Sequence, residues 1–139
     1  MSENCIFCKI ISGDIPSFKV FENDKVFAFL DINPLSKGHT VVIPKTHCER
    51  LEDLPEEYSS AIGSALPKIA KAVITGTGAL DWNLLQNNGK SAGQEVPHLH
   101  FHIIPREKSD GLGYRWKPTK LDMEKGKTLC EEIKQSLEN

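Results

Sequence analysis

Three histidines at alternate positions, His98, His100 and His102 in PHLHFHIIP, are the strongest chemical signal in the sequence. In an extended strand, residues i, i+2 and i+4 share a face, which would set these attachment points about 6 to 7 Å apart and turn Leu99, Phe101 and Ile103 the other way. One face would be core and the other chemistry. A neutral imidazole can attack an electrophile through one nitrogen while the other donates to an orienting acceptor, which suits displacement at phosphorus. A single histidine on a sheet is usually an ordinary hydrogen-bonded residue, but three of the chain's five on one predicted face favour a site. The second signal is CIFC, in which Cys5 and Cys8 supply half of a tetrahedral zinc site, although the same spacing also occurs in redox pairs.

Short elements must position these groups. CIFCKIISG reads as a helical turn or two stopped by Gly13, DIPSFKVFE leads toward a strand, and DKVFAFLDI, HTVVIPKTH and WNLLQNNG read as strands, with a turn at Asn33, Pro34 and Gly38. LPEEYSSAIGSALPKIAKAVITG carries helix spacing through Tyr58, Ile62, Leu66, Ile69 and Val73, with Pro67 expected to bend or split it and Gly76 to stop it. After PHLHFHIIPR the chain turns polar through REKSDGLGYRWKPTK, and TLCEEIKQSLEN reads as a short closing helix. This alternation is too sparse for a doubly wound nucleotide-binding sheet, so the expectation is α+β: an antiparallel sheet with one main helix.

Composition narrows the setting. At 139 residues and 39% hydrophobic the chain fits one domain, 1–139, with a polar C-terminal tail from about 107. A net charge of −2 gives no footing for a nucleic-acid polymer or a membrane surface, and no apolar run approaches the roughly 20 residues that span a bilayer. MSENCIFCKI lacks a basic-then-apolar leader, which points to the cytoplasm, and to the nucleus as well in a eukaryote. In such a compartment Cys5, Cys8, Cys48 and Cys130 are expected as free thiols or metal ligands rather than disulfides.

HLHFHII, together with FLDINPLSKGHTVVIPKTH and NNGKSAGQEV, resembles the signature of the histidine triad hydrolases over nearly the whole chain. The resemblance implies a homodimer with an antiparallel sheet and a long helix, which releases a nucleoside monophosphate from an amine, a phosphate or a similar leaving group. The CxxC and the Gly-Gln segment are similar to the purine-nucleoside phosphoramidase branch, whose substrates are adenylated lysine or simple adenosine phosphoramidates. By this resemblance His100 is the nucleophile, His102 faces the phosphate and leaving group, and His39 of GHTVV is a polar partner in the same site. Asn87, Gly93, Gln94 and Glu95 fall at phosphate-pocket positions, Asp31 at the ribose hydroxyls, and Ile32, Phe7, Ile10, Ile15 and Phe29 at the apolar wall around the base. Asp31 could equally cap the turn before Pro34, and Ile10 and Phe29 could be ordinary core.

Zinc-bearing relatives complete the CxxC with the histidine after PKT and the first histidine of the signature, here His47 and His98. The implied cofactor is therefore a structural zinc on Cys5, Cys8, His47 and His98, with no metal required for the attack. Glu95 departs from the pattern, because that branch often carries a serine there. An ionised carboxylate accepts hydrogen bonds only, so its side chain is expected to point away and offer its backbone N–H. The competing readings are a dinucleoside polyphosphate or nucleotidyl-sulfate hydrolase of the same fold, and a nucleotide-binding regulator with slow turnover.

Overall fold

The structure, a computed structural model, describes residues 2–113 and 116–138; residues 114 and 115 of the polar stretch lie outside it. Five strands form one sheet: β1 (Lys19–Glu22), β2 (Val26–Leu30), β3 (Thr40–Pro44), β4 (Asp81–Gln86) and β5 (Phe101–Arg106). Their order is β1-β2-β3-β5-β4, with every neighbouring pair antiparallel. Three α-helices accompany them: α1 (Ile6–Ser12), α2 (Glu56–Thr77) and α3 (Met123–Glu138). The α+β antiparallel architecture expected from the sequence is the one observed.

Alternation along the strands divides two apolar layers. Val26 and Ala28 of β2, Val42 of β3 and Ile103 of β5 pack with Leu99 against Ile62, Ala65, Ile69, Ala70 and Val73 of α2. The intervening residues Phe27, Phe29, Val41 and Ile43 pack against Phe7, Cys8 and Ile10 of α1 and against Cys5. Burial on both faces explains why β2 and β3 read as almost continuous apolar runs. Each large side chain removed from water contributes about 1.5–3 kcal/mol, so these layers hold β3 and β5, the strands beneath the histidines, in fixed register.

Helix ends follow local chemistry, with two departures from expectation. The α1 helix stops at Gly13, whose φ of 87° is left-handed and whose N–H reaches the Ile10 carbonyl. The α2 helix runs on to Thr77, one residue past Gly76, and is capped by Gly78 at φ 76°, because Gly76 stays helical and Thr77 returns its hydroxyl to the Val73 carbonyl. Pro67 does not split α2. It lies on the exposed face, as does Gly63, so water can take the carbonyl that proline leaves without a donor. The closing helix begins earlier than TLCEEIK, at Met123, because the Asp122 carboxylate accepts the Glu124 and Lys125 N–H groups as an N-cap.

Candidate active site and metal centre

The pairing of β3 with β5 sets Val41 opposite His102 and Thr40 opposite Ile103. His39, one residue before β3, therefore meets His102 across the strand pair, with Nε2 2.8 Å from His102 Nδ1. The His100 ring stands beside His102 at 4.8 Å between centroids, and Phe7 of α1 meets His100 edge-on at 5.1 Å. Histidines from two distant parts of the sequence, His39 and the His100–His102 pair, form one cluster on the α1 side of the sheet.

The row of histidines keeps its face, but it is not wholly a strand. β5 begins at Phe101, so His98 and His100 precede it. The ladder with β3 ends at the Val42–Phe101 pair because Pro44 has no N–H to offer and the backbone bonds of the preceding segment go elsewhere. The His98 N–H reaches the Val96 carbonyl and the Leu99 N–H reaches Cys48.

Backbone carbonyls fix the protons on two of these rings. His98 Nε2 lies 3.1 Å from the Pro44 carbonyl, and a carbonyl only accepts, so the proton sits on Nε2 and the Nδ1 lone pair is free. His100 is the reverse: Nδ1 donates to the His98 carbonyl at 2.7 Å, which leaves a lone pair on Nε2. Burial drives His98 and His102 down to about 4 and His39 and His100 below the ordinary 6.5. Asp31 pulls His39, His100 and His102 partly back, and Glu95 does the same to His100. At neutral pH the rings are uncharged, which an imidazole nucleophile requires.

His98 turns its free Nδ1 toward sulfur, 3.3 Å from Cys5 Sγ and 3.6 Å from Cys8 Sγ, while His47 Nδ1 lies 3.4 Å from Cys8 Sγ. Cys5, Cys8, His47 and His98 could hold a metal ion. A tetrahedral zinc with ordinary bond lengths would place sulfur and nitrogen ligands about 3.6 Å apart, so these side chains need to move little. The donors also join the start of α1 to the segments after β3 and before β5. Cys48, which donates to the Arg50 carbonyl, and Cys130, which is exposed, stand outside the cluster. Asp31, His39 and His102 form a second group close enough to be considered for a metal.

The remaining sequence-predicted residues divide by burial. Phe7, Ile10 and Phe29 are core residues beneath the histidines, and Ile15 packs at the margin of the same layer. Ile32 is exposed beside Asp31. One carboxylate oxygen of Asp31 accepts the Asn33 N–H at 2.8 Å, so it does cap the turn, while the other lies 3.7 Å from His39 Nε2 and faces the histidines. Gln94 is held by its surroundings: its carbonyl oxygen takes the Gly89 N–H, and its amide donates to the Glu49 and Val96 carbonyls. It thereby shapes the loop in which Gly93, at φ 92°, faces Asn87. Glu95 is exposed. The groups that sequence reasoning missed are main-chain ones, the carbonyls of Pro44 and His98 and the N–H of Leu35, which lies 3.1 Å from His39 Nδ1. No residue type announces them.

Residues 12–109 match the HIT domain family. The chain belongs to this family. Among its HIT relatives, Protein hit of Bacillus subtilis is 54% identical over 84% of this chain and 81% of its own. Adenosine 5'-monophosphoramidase HNT1 of Saccharomyces cerevisiae is 44% identical over 96% of this chain and 83% of its own, and adenylylsulfatase HINT3 of Arabidopsis thaliana is 46% identical over 81% and 57%. A crystal structure from Streptococcus mutans superposes with a TM-score of 0.94 at 39% identity, covering 99% of this chain and 87% of that one. A zinc-bound histidine triad protein from Mycobacterium smegmatis reaches 0.74 at 40% identity, covering 84% of each chain. No helix among the described residues is long and apolar enough to cross a membrane.

Proposed function

We propose that this HIT protein hydrolyses purine nucleoside phosphoramidates, such as adenosine 5'-monophosphoramidate, through a nucleotidyl-histidine intermediate. The observation that carries this reading is the His100 ring, buried and uncharged, with Nδ1–H on the His98 carbonyl and the Nε2 lone pair left for attack. In the first half-reaction, Nε2 forms a bond to phosphorus and the P–N bond breaks. The amine leaves with the bonding electron pair and takes a proton from solvent, while His100 keeps its Nδ1 proton and carries the nucleotidyl group as an imidazolium. In the second, water attacks phosphorus and loses a proton to solvent, and the P–Nε2 electrons return to the ring. The net change is phosphoramidate plus water to nucleoside monophosphate plus amine. His102 and His39 supply polarity beside the reacting phosphoryl group, where fixed dipoles in a water-poor setting stabilise developing charge.

In this reading Asp31 accepts the ribose hydroxyls with the oxygen that the Asn33 turn leaves open, and Ile32, Ile15, Phe7, Ile10 and Phe29 form and back the wall for the base. Asn87 and the backbone around Gly93 and Glu95 receive the phosphate, in a loop whose shape Gln94 maintains. Cys5, Cys8, His47 and His98 hold a structural zinc, supported by the sulfur–nitrogen spacing, the proton position on His98 and the choice of zinc by paired thiolates and imidazoles. Bound there, the ion ties α1 to the histidine strands and leaves no coordination position open. A homodimer is supported by β4, an edge strand that leaves Trp82 and Leu84 exposed, with Leu80 just before it. Four free cysteines suit the cytoplasm.

Comparing hydrolysis of adenosine 5'-monophosphoramidate with that of a diadenosine polyphosphate, in wild type and His100→Ala, tests the reading. The phosphoramidate should be preferred, and H100A should lose at least roughly 100-fold in turnover while staying folded. A folded H100A with near-wild-type turnover would sink it. The relative named as an adenylylsulfatase keeps a nucleotidyl sulfate as the second substrate to assay.

A further inference from the structure

We propose that the backbone N–H of Leu35 is a positioning group: it fixes the proton arrangement on the His39–His102 pair, making His102 a hydrogen-bond donor into the nucleotide site and closing the Asp31–His39–His102 cluster to metal ions. The value of the donor rests on the phosphoramidase reading. The proton arrangement itself does not.

A neutral imidazole has one N–H and one lone pair. The Leu35 N–H points at His39 Nδ1 from 3.1 Å, and two hydrogens cannot face each other there, so Nδ1 carries the lone pair and Nε2 the proton. From Nε2 that proton has two acceptors in view, His102 Nδ1 at 2.8 Å and Asp31 Oδ2 at 3.7 Å, and it takes the nearer. His102 Nδ1 therefore accepts, and His102 in turn presents Nε2–H. Its neighbour His100, anchored by a carbonyl instead of an N–H, presents a lone pair. Two rings 4.8 Å apart thus offer complementary functions, an attacking lone pair and a donor for a phosphoryl oxygen or the leaving atom.

The same logic separates the two clusters that proximity alone would admit as metal sites. Coordination needs a lone pair. On His98 the Pro44 carbonyl holds the proton at Nε2 and frees Nδ1 for the ion. On His39 the Nδ1 lone pair is taken by Leu35 and Nε2 is protonated, so the ring has nothing to give a cation; moving the proton to Nδ1 would press it against the Leu35 N–H. A carbonyl opens one site and an N–H closes the other. Closure keeps a transition-metal ion from occupying the ground where the nucleotide must sit.

The zinc-loaded, 15N-labelled protein at neutral pH gives the test. Long-range imidazole 1H–15N correlations, assigned with single histidine-to-glutamine variants, should show His39 and His102 protonated on Nε2 and His100 on Nδ1. A nitrogen–nitrogen coupling across the hydrogen bond should link the Leu35 amide to His39 Nδ1. A proton on Nδ1 of His39 or His102, or absence of that coupling, overturns the assignment. Excess zinc should leave the His39 and His102 signals unchanged and the content at one ion per chain; a second bound ion that removes the His39 Nε2–H signal overturns the closure. Leu35→Pro, which lacks the N–H, should mix the His39 tautomers; a folded variant with the wild-type pattern would show that Leu35 does not set it. Should L35P not fold, the wild-type coupling still decides. None of these readings depends on turnover, so an H100A enzyme that remained active would defeat the phosphoramidase reading and leave this result standing.

Discussion

Gly38→Ala should be one of the most damaging small substitutions in the chain, because Gly38 seats the loop that carries Leu35 and His39. Its φ of 89° lies in the left-handed region, where a residue with a Cβ costs about 1–2 kcal/mol. An added Cβ would also overlap Thr77 Cγ2 at the end of α2, with Pro105 Cγ in contact at 3.5 Å. Thr77 cannot easily swing aside. It is β-branched, and its hydroxyl donates to the Val73 carbonyl at 2.8 Å and accepts the Ala79 N–H at 3.3 Å. Overpacking of this kind costs about 1–3 kcal/mol, so G38A should lose about 2–5 kcal/mol in all. Thr77→Ser removes the methyl and keeps the hydroxyl, and the G38A/T77S double variant should recover the packing part, about 1–3 kcal/mol, but none of the backbone strain. Urea unfolding of wild type, both single variants and the double variant measures this coupling directly, and phosphoramidate turnover reports the displacement of His39. A G38A protein within about 0.5 kcal/mol of wild type, or single-variant effects that simply add, would refute the reasoning.

Other consequences are open to measurement. Cys8→Ser should lower zinc content and thermal stability more than it alters nucleotide preference, by about 3 kcal/mol where free zinc stands 100-fold above the wild-type Kd; full zinc content in C8S would remove Cys8 from the ligand set. His102 titrates at about 4 in the folded chain against 6.5 as its ordinary value, so below pH 6.5 the unfolded chain binds a proton that the folded one does not. Stability should therefore fall as pH drops from 6.5 toward 4, with about 3 kcal/mol of that fall absent in His102→Gln, and equal slopes for the two proteins in urea unfolding would contradict the assignment. Glu95→Ser removes a carboxylate from the neighbourhood of the phosphate and should raise kcat/KM about fivefold, or ~1 kcal/mol, an unchanged value showing that Glu95 does not act on the substrate. Light scattering should report two chain masses for wild type and one for Leu84→Lys, and a wild-type monomer would end the dimer reading.

The residue types and spacing of this chain already announced most of its chemistry. HLHFHII and CIFC carry side chains whose chemistry follows from what imidazoles and thiols can do, the places given to His39 of GHTVV and His47 of PKTH came from the family resemblance, and the alternation of Leu99, Phe101 and Ile103 with the histidines was enough to set the two on opposite faces. Four of the five strands, the long helix and the stop at Gly13 were legible because apolar periodicity and glycine punctuation are local properties, whereas the short β1 read only as a lead toward the next strand. The misplaced boundaries have local explanations of another kind. Gly76 and Gly78 are equally good stops on paper, and the choice fell to the one whose N–H closes on Ile74. Asp122 starts α3 through its carboxylate, which takes the Glu124 and Lys125 N–H groups.

Only the tertiary structure decided which histidine nitrogen carries the proton, and that determines what each histidine can do. His39 and His102 are 63 positions apart, and they meet because β3 and β5 are neighbours in register. His98 and His100, two residues apart and identical in type, differ because one ring meets the Pro44 carbonyl through Nε2 and the other meets a carbonyl through Nδ1. A sequence names side chains, but every residue except proline brings the same N–H and every residue the same C=O, so which of them faces an imidazole is settled only when the chain is folded.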